Sequence, residues 1–216
     1  MNKSLLIPYI NELDNKTLDE AMPIIEERGA RCSIDSLNWP NEYPYHPLTV
    51  VNAAHSDKAI YLDFFVRCNY LRAVNSENNT PVWEDSSVSF FIRPFPDGDY
   101  WNFDVNCIGA INAARRTTRR PVERLTDAEI GTIERYASCG YQPFREVEGL
   151  FAWNVVIRIP LALIGVEYTG TPLLMKGNLC KCATGTSQPH FLTWNPVGTL
   201  HPEFHAPESF GDIILE

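Results

Sequence analysis

The chain has 216 residues, 44% of them hydrophobic and 21% charged, with a formal net charge of −9. That is long enough for one domain with a substantial core and too apolar for a chain whose main state is disordered. The acidic balance disfavours nucleic acid or an anionic membrane as the main partner, and no apolar run reaches the roughly eighteen residues a spanning helix needs.

From Met1 to Pro8 there is one lysine and a very short apolar stretch, which is not the pattern of a secretory signal. With Met1 as the native start the protein is expected in the cytoplasm. Cys32, Cys68, Cys107, Cys139, Cys180 and Cys182 are then expected as reduced thiols. Thr17 and Glu20 have the spacing of a capping box, and Leu18, Ala21, Ile24 and Ile25 recur at helical intervals up to Gly29. Pro23 interrupts this run, so the helix is expected to be short or to begin later. Residues 1–32 thus read as a helical extension packed on a β-domain that fills 33–216.

Period-two alternation dominates the rest of the chain. Ile60, Leu62, Phe64 and Val66 share one face, as do Val88, Phe90 and Ile92 opposite Ser87, Ser89, Phe91 and Arg93. Trp101, Phe103, Val105 and Cys107 likewise oppose a polar stripe of Asn102, Asp104 and Asn106. Arg115, Arg116, Arg119, Arg120 and Arg124 form a basic cluster without interleaved aromatics, which reads as a solvated loop. Thr126 with Glu129 repeats the capping signature ahead of Ile130, Ile133 and Ala137, predicting a second helix that stops near Gly140. Trp153, Val155 and Ile157 share a further strand face, and more strands are expected at Leu173 to Cys182 and Ile213 to Leu215. The expected fold is all-β, an antiparallel β-sandwich with one or two short helical insertions.

Two tryptophans stand in polar, turn-flanked settings, Trp83 in Thr80-Pro81-Val82-Trp83-Glu84-Asp85 and Trp194 in Phe191-Leu192-Thr193-Trp194-Asn195-Pro196. An indole outside a core can stack on a sugar ring while carboxylates and amides bond its hydroxyls, and three polar side chains on alternate strand residues can address several hydroxyls at once. The alternative is that both rings are ordinary core residues and the stripe a solvent-facing surface.

Three blocks sharpen this reading. Pro81 to Ile92, Tyr100 to Asn106 with Gly109, and His190 to Pro196 with Phe204-His205, Pro207 and Phe210-Gly211 resemble, in that order, the family 9 carbohydrate-binding modules and their DOMON-like relatives. The resemblance runs from about Ser33 to the C-terminus. It implies a β-sandwich that binds a mono- or oligosaccharide without cleaving it, in a cleft between Trp83 and Trp194, with Asn106 bonding the sugar; Asp104 and Asn102 of the polar stripe and Asn195 are the further candidate contacts. Ser89 stands where xylanase-linked members have a glutamate, and Asp104 where they have an arginine, so the sugar contacts must differ.

Other chemistries are less well supported. Glu84 and Asp85 would point to opposite faces of a strand and could not act together on one glycosidic bond, and no nucleophile elbow occurs. The protein is therefore expected to be at most an accessory to a glycoside-degrading system. Cys180, Cys182 and His190, or His201 and His205, are the candidate transition-metal ligands, although a second C-x-C pair is lacking. No cofactor is expected, with calcium in loops left open. The DOMON-like resemblance also raises a haem alternative, with Met175 and His190 as axial ligands.

Overall fold

The computed structural model describes residues 2–117 and 122–216. Its elements in chain order are β1 (Ser4–Ile7), α1 (Leu18–Arg28), β2 (Ala30–Ser33), β3 (Leu48–His55), β4 (Ala59–Ala73), β5 (Ser87–Arg93), β6 (Tyr100–Asn106), β7 (Ile111–Arg116), β8 (Glu123–Arg124), α2 (Asp127–Ile130), β9 (Glu134–Ala137), β10 (Phe144–Pro160), β11 (Leu173–Cys182), β12 (Phe191–Thr193) and β13 (Gly211–Leu215). One sheet runs β1-β13-β11-β5-β6-β7-β8, with β12 also on β11; the other runs β2-β3-β4-β10-β9. The pairings are antiparallel except for β1 on β13, which is parallel.

The alternation built this sandwich. Val88 pairs with Val105 and Phe90 with Phe103, so the apolar faces of β5 and β6 coincide, and all four side chains are buried. They meet Leu62, Phe64, Val66, Trp153, Val155 and Ile157 of the second sheet in one core. Removing that apolar area from water is the main favourable term in folding. The outer face of the second sheet is covered by α1, whose Leu18, Ala21 and Ile25 pack with Ala54, Tyr61 and Val156. The outer face of the first sheet is crossed instead by the chain after β12, with Phe204 and Phe210 against Phe91 and Tyr100.

Four expectations are corrected. The first helix begins at Leu18 despite Pro23, because its apolar stripe is buried, Thr17 and Glu20 close the capping box, and Gly29 N–H reaches Ile25 O at 2.9 Å. The second helix is a single turn: beyond Gly131 the chain extends, and Tyr136 and Ala137 pair with Val156 and Val155 as β9. Residues 1–32 are more than a helical extension, since β1 and β2 each join a sheet and Leu5 and Ile7 enter the inter-sheet core. Within the basic cluster, Arg115 and Arg116 lie on β7 and Arg124 on β8, not on a loop; Arg119 and Arg120 fall outside the described residues.

Candidate functional site

The outer face of the first sheet carries a polar row. Register places Ser89 of β5 beside Asp104 of β6, and Asp104 beside Asn112 of β7. Asp104 is only 6% exposed, and its Oδ2 accepts hydrogen bonds from Asn102 Nδ2 at 2.8 Å and Asn112 Nδ2 at 3.0 Å. Asn102 is held in turn by Arg116, whose Nε donates to its Oδ1 at 2.7 Å. Burial pushes the Asp104 carboxyl above the usual aspartate range, opposed by its bonds to Ser89, Asn112 and Asn102 and by the charge of Arg116. An ionisable carboxylate surrounded by fixed donors is therefore the floor of this face.

Above it opens a cleft of ≈ 400 Å³, a size ordinary for small-molecule sites. Trp83 forms one wall, with its residue 38% exposed, on a short 3-10 turn spanning Val82–Glu84. The turn is pinned from below by buried Asp85, which accepts from Arg72 Nη1 (2.7 Å), Val74 N (3.0 Å), Asn75 N (2.9 Å) and Asn106 Nδ2 (3.0 Å). Phe91, Phe191, Phe204 and His205 supply apolar and aromatic lining, and Glu203 stands at the margin. His205 lies 5.2 Å from the Phe91 ring and 3.3 Å from the Tyr100 hydroxyl through Nδ1. Burial, helped by Arg116, lowers the His205 pKa to about 4, so its ring is neutral at neutral pH.

Of the six residues singled out in the sequence, Trp83 and Asp104 line this cleft, and Asn102 sits beside Asp104 on the same strand face and bonds it. The other three do not reach it. Asn106 bonds Asp85 and Asn75 O through Nδ2 and accepts Ile108 N and Ala110 N, so it positions the Trp83 turn. Asn195 accepts Lys3 N and donates to Ser209 O, tying the two chain ends together. Trp194 is 3% exposed and belongs to the inter-sheet core. Its ring lies flush on Gly211, where an added Cβ would approach Trp194 Cζ3 to 2.6 Å. The two-tryptophan platform is thus corrected to one exposed indole facing phenylalanines.

Period two explains the error. Leu192 and Trp194 share the inward face of their segment, while Phe191 is aimed at the cleft. Asn112 and Arg116, which sequence reading left out of the site, share the same parity on β7, opposite inward-facing Ile111 and Ala113. That alternation was the available signal.

Among the described residues no three His, Cys, Asp or Glu side chains converge to hold a metal ion, so neither the Cys180, Cys182 and His190 set, nor His201 with His205, nor calcium finds a carboxylate or thiolate cluster. The haem pair fails on geometry. Met175 lies in the core near the start of β11, whereas His190 O accepts Ala183 N just beyond its end, about 25 Å away at the rise of a strand. No helix among the described residues is long and apolar enough to cross a membrane.

No curated protein matches the sequence. A protein of Bacteroides uniformis, solved as a candidate carbohydrate-binding protein, is 32% identical over 100% of both chains and superposes with a TM-score of 0.91. A family 9 carbohydrate-binding module from Caldicellulosiruptor kristjanssonii, solved with glucose, shares the fold at a TM-score of 0.59 and 17% identity, covering 99% of this chain and 96% of that one. The same organism's module with cellotriose gives 0.59 at 14% identity, covering 99% and 94%. The family model for carbohydrate-binding family 9 matches residues 17–215, from the start of α1 to the last strand. A sandwich of this topology, matched by that model over nearly its whole length, belongs to carbohydrate-binding family 9.

Proposed function

We propose that the protein binds a mono- or oligosaccharide, without hydrolysing it, in the cleft between Trp83 and the Phe191–Phe204 side. The observation that carries this reading is the pairing of an exposed indole face with a buried, donor-ringed Asp104 carboxylate in one cleft. Apolar faces of a pyranose ring pack on the indole, and its hydroxyls donate to Asp104 and accept from the Asn112 amide and the Arg116 guanidinium. The glucose and cellotriose bound by the Caldicellulosiruptor modules support a sugar as the ligand.

Asp104 already accepts three side-chain bonds from Ser89, Asn112 and Asn102, which suits it to orienting a ring rather than to cleaving its linkage. The domain would then serve as an accessory to a glycoside-degrading system. Isothermal titration calorimetry with glucose, cellotriose and other neutral sugars is the test, followed by Trp83→Ala and Asp104→Asn. Binding that these variants weaken supports the reading. A wild type that binds none of the sugars, or one that releases new reducing ends from them, contradicts it.

A further inference from the structure

Four residues along β6 from Asp104, about 13 Å at the rise of a strand, a second and larger groove of ≈ 1000 Å³ opens at the end of the same sheet face. It is lined by Arg93, Tyr100, Trp101, Arg115 and Arg116, with Asp97 and Asp99 at its margin. Arg116 lines both openings, with Tyr100 beside it on β6. Register accounts for this: Tyr100 pairs with Arg116, and Arg93 ends β5 on the face that carries Ser89 and Phe91.

The arginines differ in how they are satisfied. Arg115 bonds Asp99 at 2.5 Å and lies over the Trp101 ring at 5.5 Å. Arg116 is bonded to a neutral amide, Asn102. The Arg93 side chain makes no ion pair or hydrogen bond among the described residues, and its Nε is shut off from solvent with no partner. The cation paired across from it, Lys176, is already neutralised by Asp212 at 2.5 Å. A guanidinium in the groove lining without a counter-charge is open to pairing with a ligand, and the oxyanions of carboxylates and sulfates match its fork geometry.

We infer that this groove is an anionic subsite continuous with the Trp83 cleft, and that the ligand is an oligosaccharide carrying an acidic group, a uronate or a sulfate ester, seated between Arg93 and Arg116. The inference rests on the sugar-binding reading of the cleft and specifies its ligand class. A chain held by one ring at Trp83 and Asp104 would run past Arg116, leaving a residue further along the chain at Arg93. Asp97, which lines the groove, would disfavour a second negative charge further out.

The test is calorimetry with neutral trisaccharides (cellotriose, mannotriose, galactotriose), each beside the same trisaccharide oxidised to a single uronate at one terminal ring. In at least one pair the uronate should bind about tenfold tighter than the neutral sugar, the weight of a charge-assisted hydrogen bond, and Arg93→Gln should abolish that ratio. The advantage should also shrink in high salt. If neutral sugars bind at Trp83 but no uronate binds tighter, or if the advantage survives in Arg93→Gln, the acidic subsite is refuted and the sugar cleft stands. Inorganic sulfate alone binding as tightly as the uronates would refute the sugar-borne anion. If no trisaccharide of either kind binds, both the subsite and the sugar-binding reading fall.

Discussion

Trp83 and Trp194 are expected to fail in opposite ways when truncated. Trp194 sits in the inter-sheet core at 3% exposure, with its ring flush on Gly211. Trp194→Ala should therefore lose about 3–5 kcal/mol of folding stability, the range for an aromatic removed from a packed core. At about 2–4 °C per kcal/mol for a chain of this size, the melting temperature should fall by about 6–20 °C. Trp83 is 38% exposed on a pinned turn, so Trp83→Ala should change stability by no more than about 1 kcal/mol. It should cost about 2 kcal/mol of binding, or roughly thirtyfold in Kd. Thermal unfolding by circular dichroism and calorimetry below the transition separate the effects, with Trp194→Leu as the milder core variant. A Trp194 variant that melts like the wild type yet no longer binds would refute this assignment. So would a Trp83→Ala protein that binds undiminished.

Gly211→Ala should destabilise by about 1–3 kcal/mol, because its Cβ would lie 2.6 Å from Trp194 Cζ3 and 2.7 Å from Lys3 O; an unchanged melting temperature would contradict the packing. Asn106→Ala removes one donor from Asp85 and the acceptor of Ile108 N and Ala110 N, so it should cost about 1–3 kcal/mol of stability and weaken sugar binding through the Trp83 turn. Sugar binding should weaken on acidification at a pH above the usual aspartate range, since burial raises the Asp104 pKa and the protonated acid loses its acceptor role; this dependence should vanish in Asp104→Asn. Lys181 is fully buried, with its amine on Cys182 O at 2.9 Å and 5.8 Å from the Trp153 ring, and burial lowers its pKa. A lysine with a depressed pKa destabilises the fold progressively as pH falls below the ordinary lysine range, so Lys181→Met should raise stability by about 1–3 kcal/mol, and its margin over the wild type should grow as pH drops from that range to the lowered pKa and then level off.

What was legible in the sequence came from period two. The matched phases of Val88 with Val105 and Phe90 with Phe103 point to a sandwich without any knowledge of pairing, and the polar phase of β6 led to Asp104. The same rule, applied to Leu192 and Trp194, would have turned Trp194 inward; its polar, proline-flanked setting outweighed the parity. Asn106 shares the parity of Asp104 but stands at the strand's end, where the open N–H groups of Ile108 and Ala110 capture its amide oxygen. Parity puts Arg116 and Asn112 on one face of β7, but which cleft they line follows from the register of β6 on β7, a long-range fact. Glu134 to Ala137 turned extended because β10 offered an edge, a tertiary pairing that overrode the helical start signal at Thr126.

The central claim, that a sugar ring stacks on Trp83 above Asp104, meets its most direct test in the indole N–H signals of the five tryptophans during titration with the sugar that binds tightest in calorimetry. The Trp83 signal should shift progressively and saturate, while the buried Trp153 and Trp194 signals stay in place. Saturable shifts at Trp194 with Trp83 unmoved, or no shift at any indole, would contradict the account.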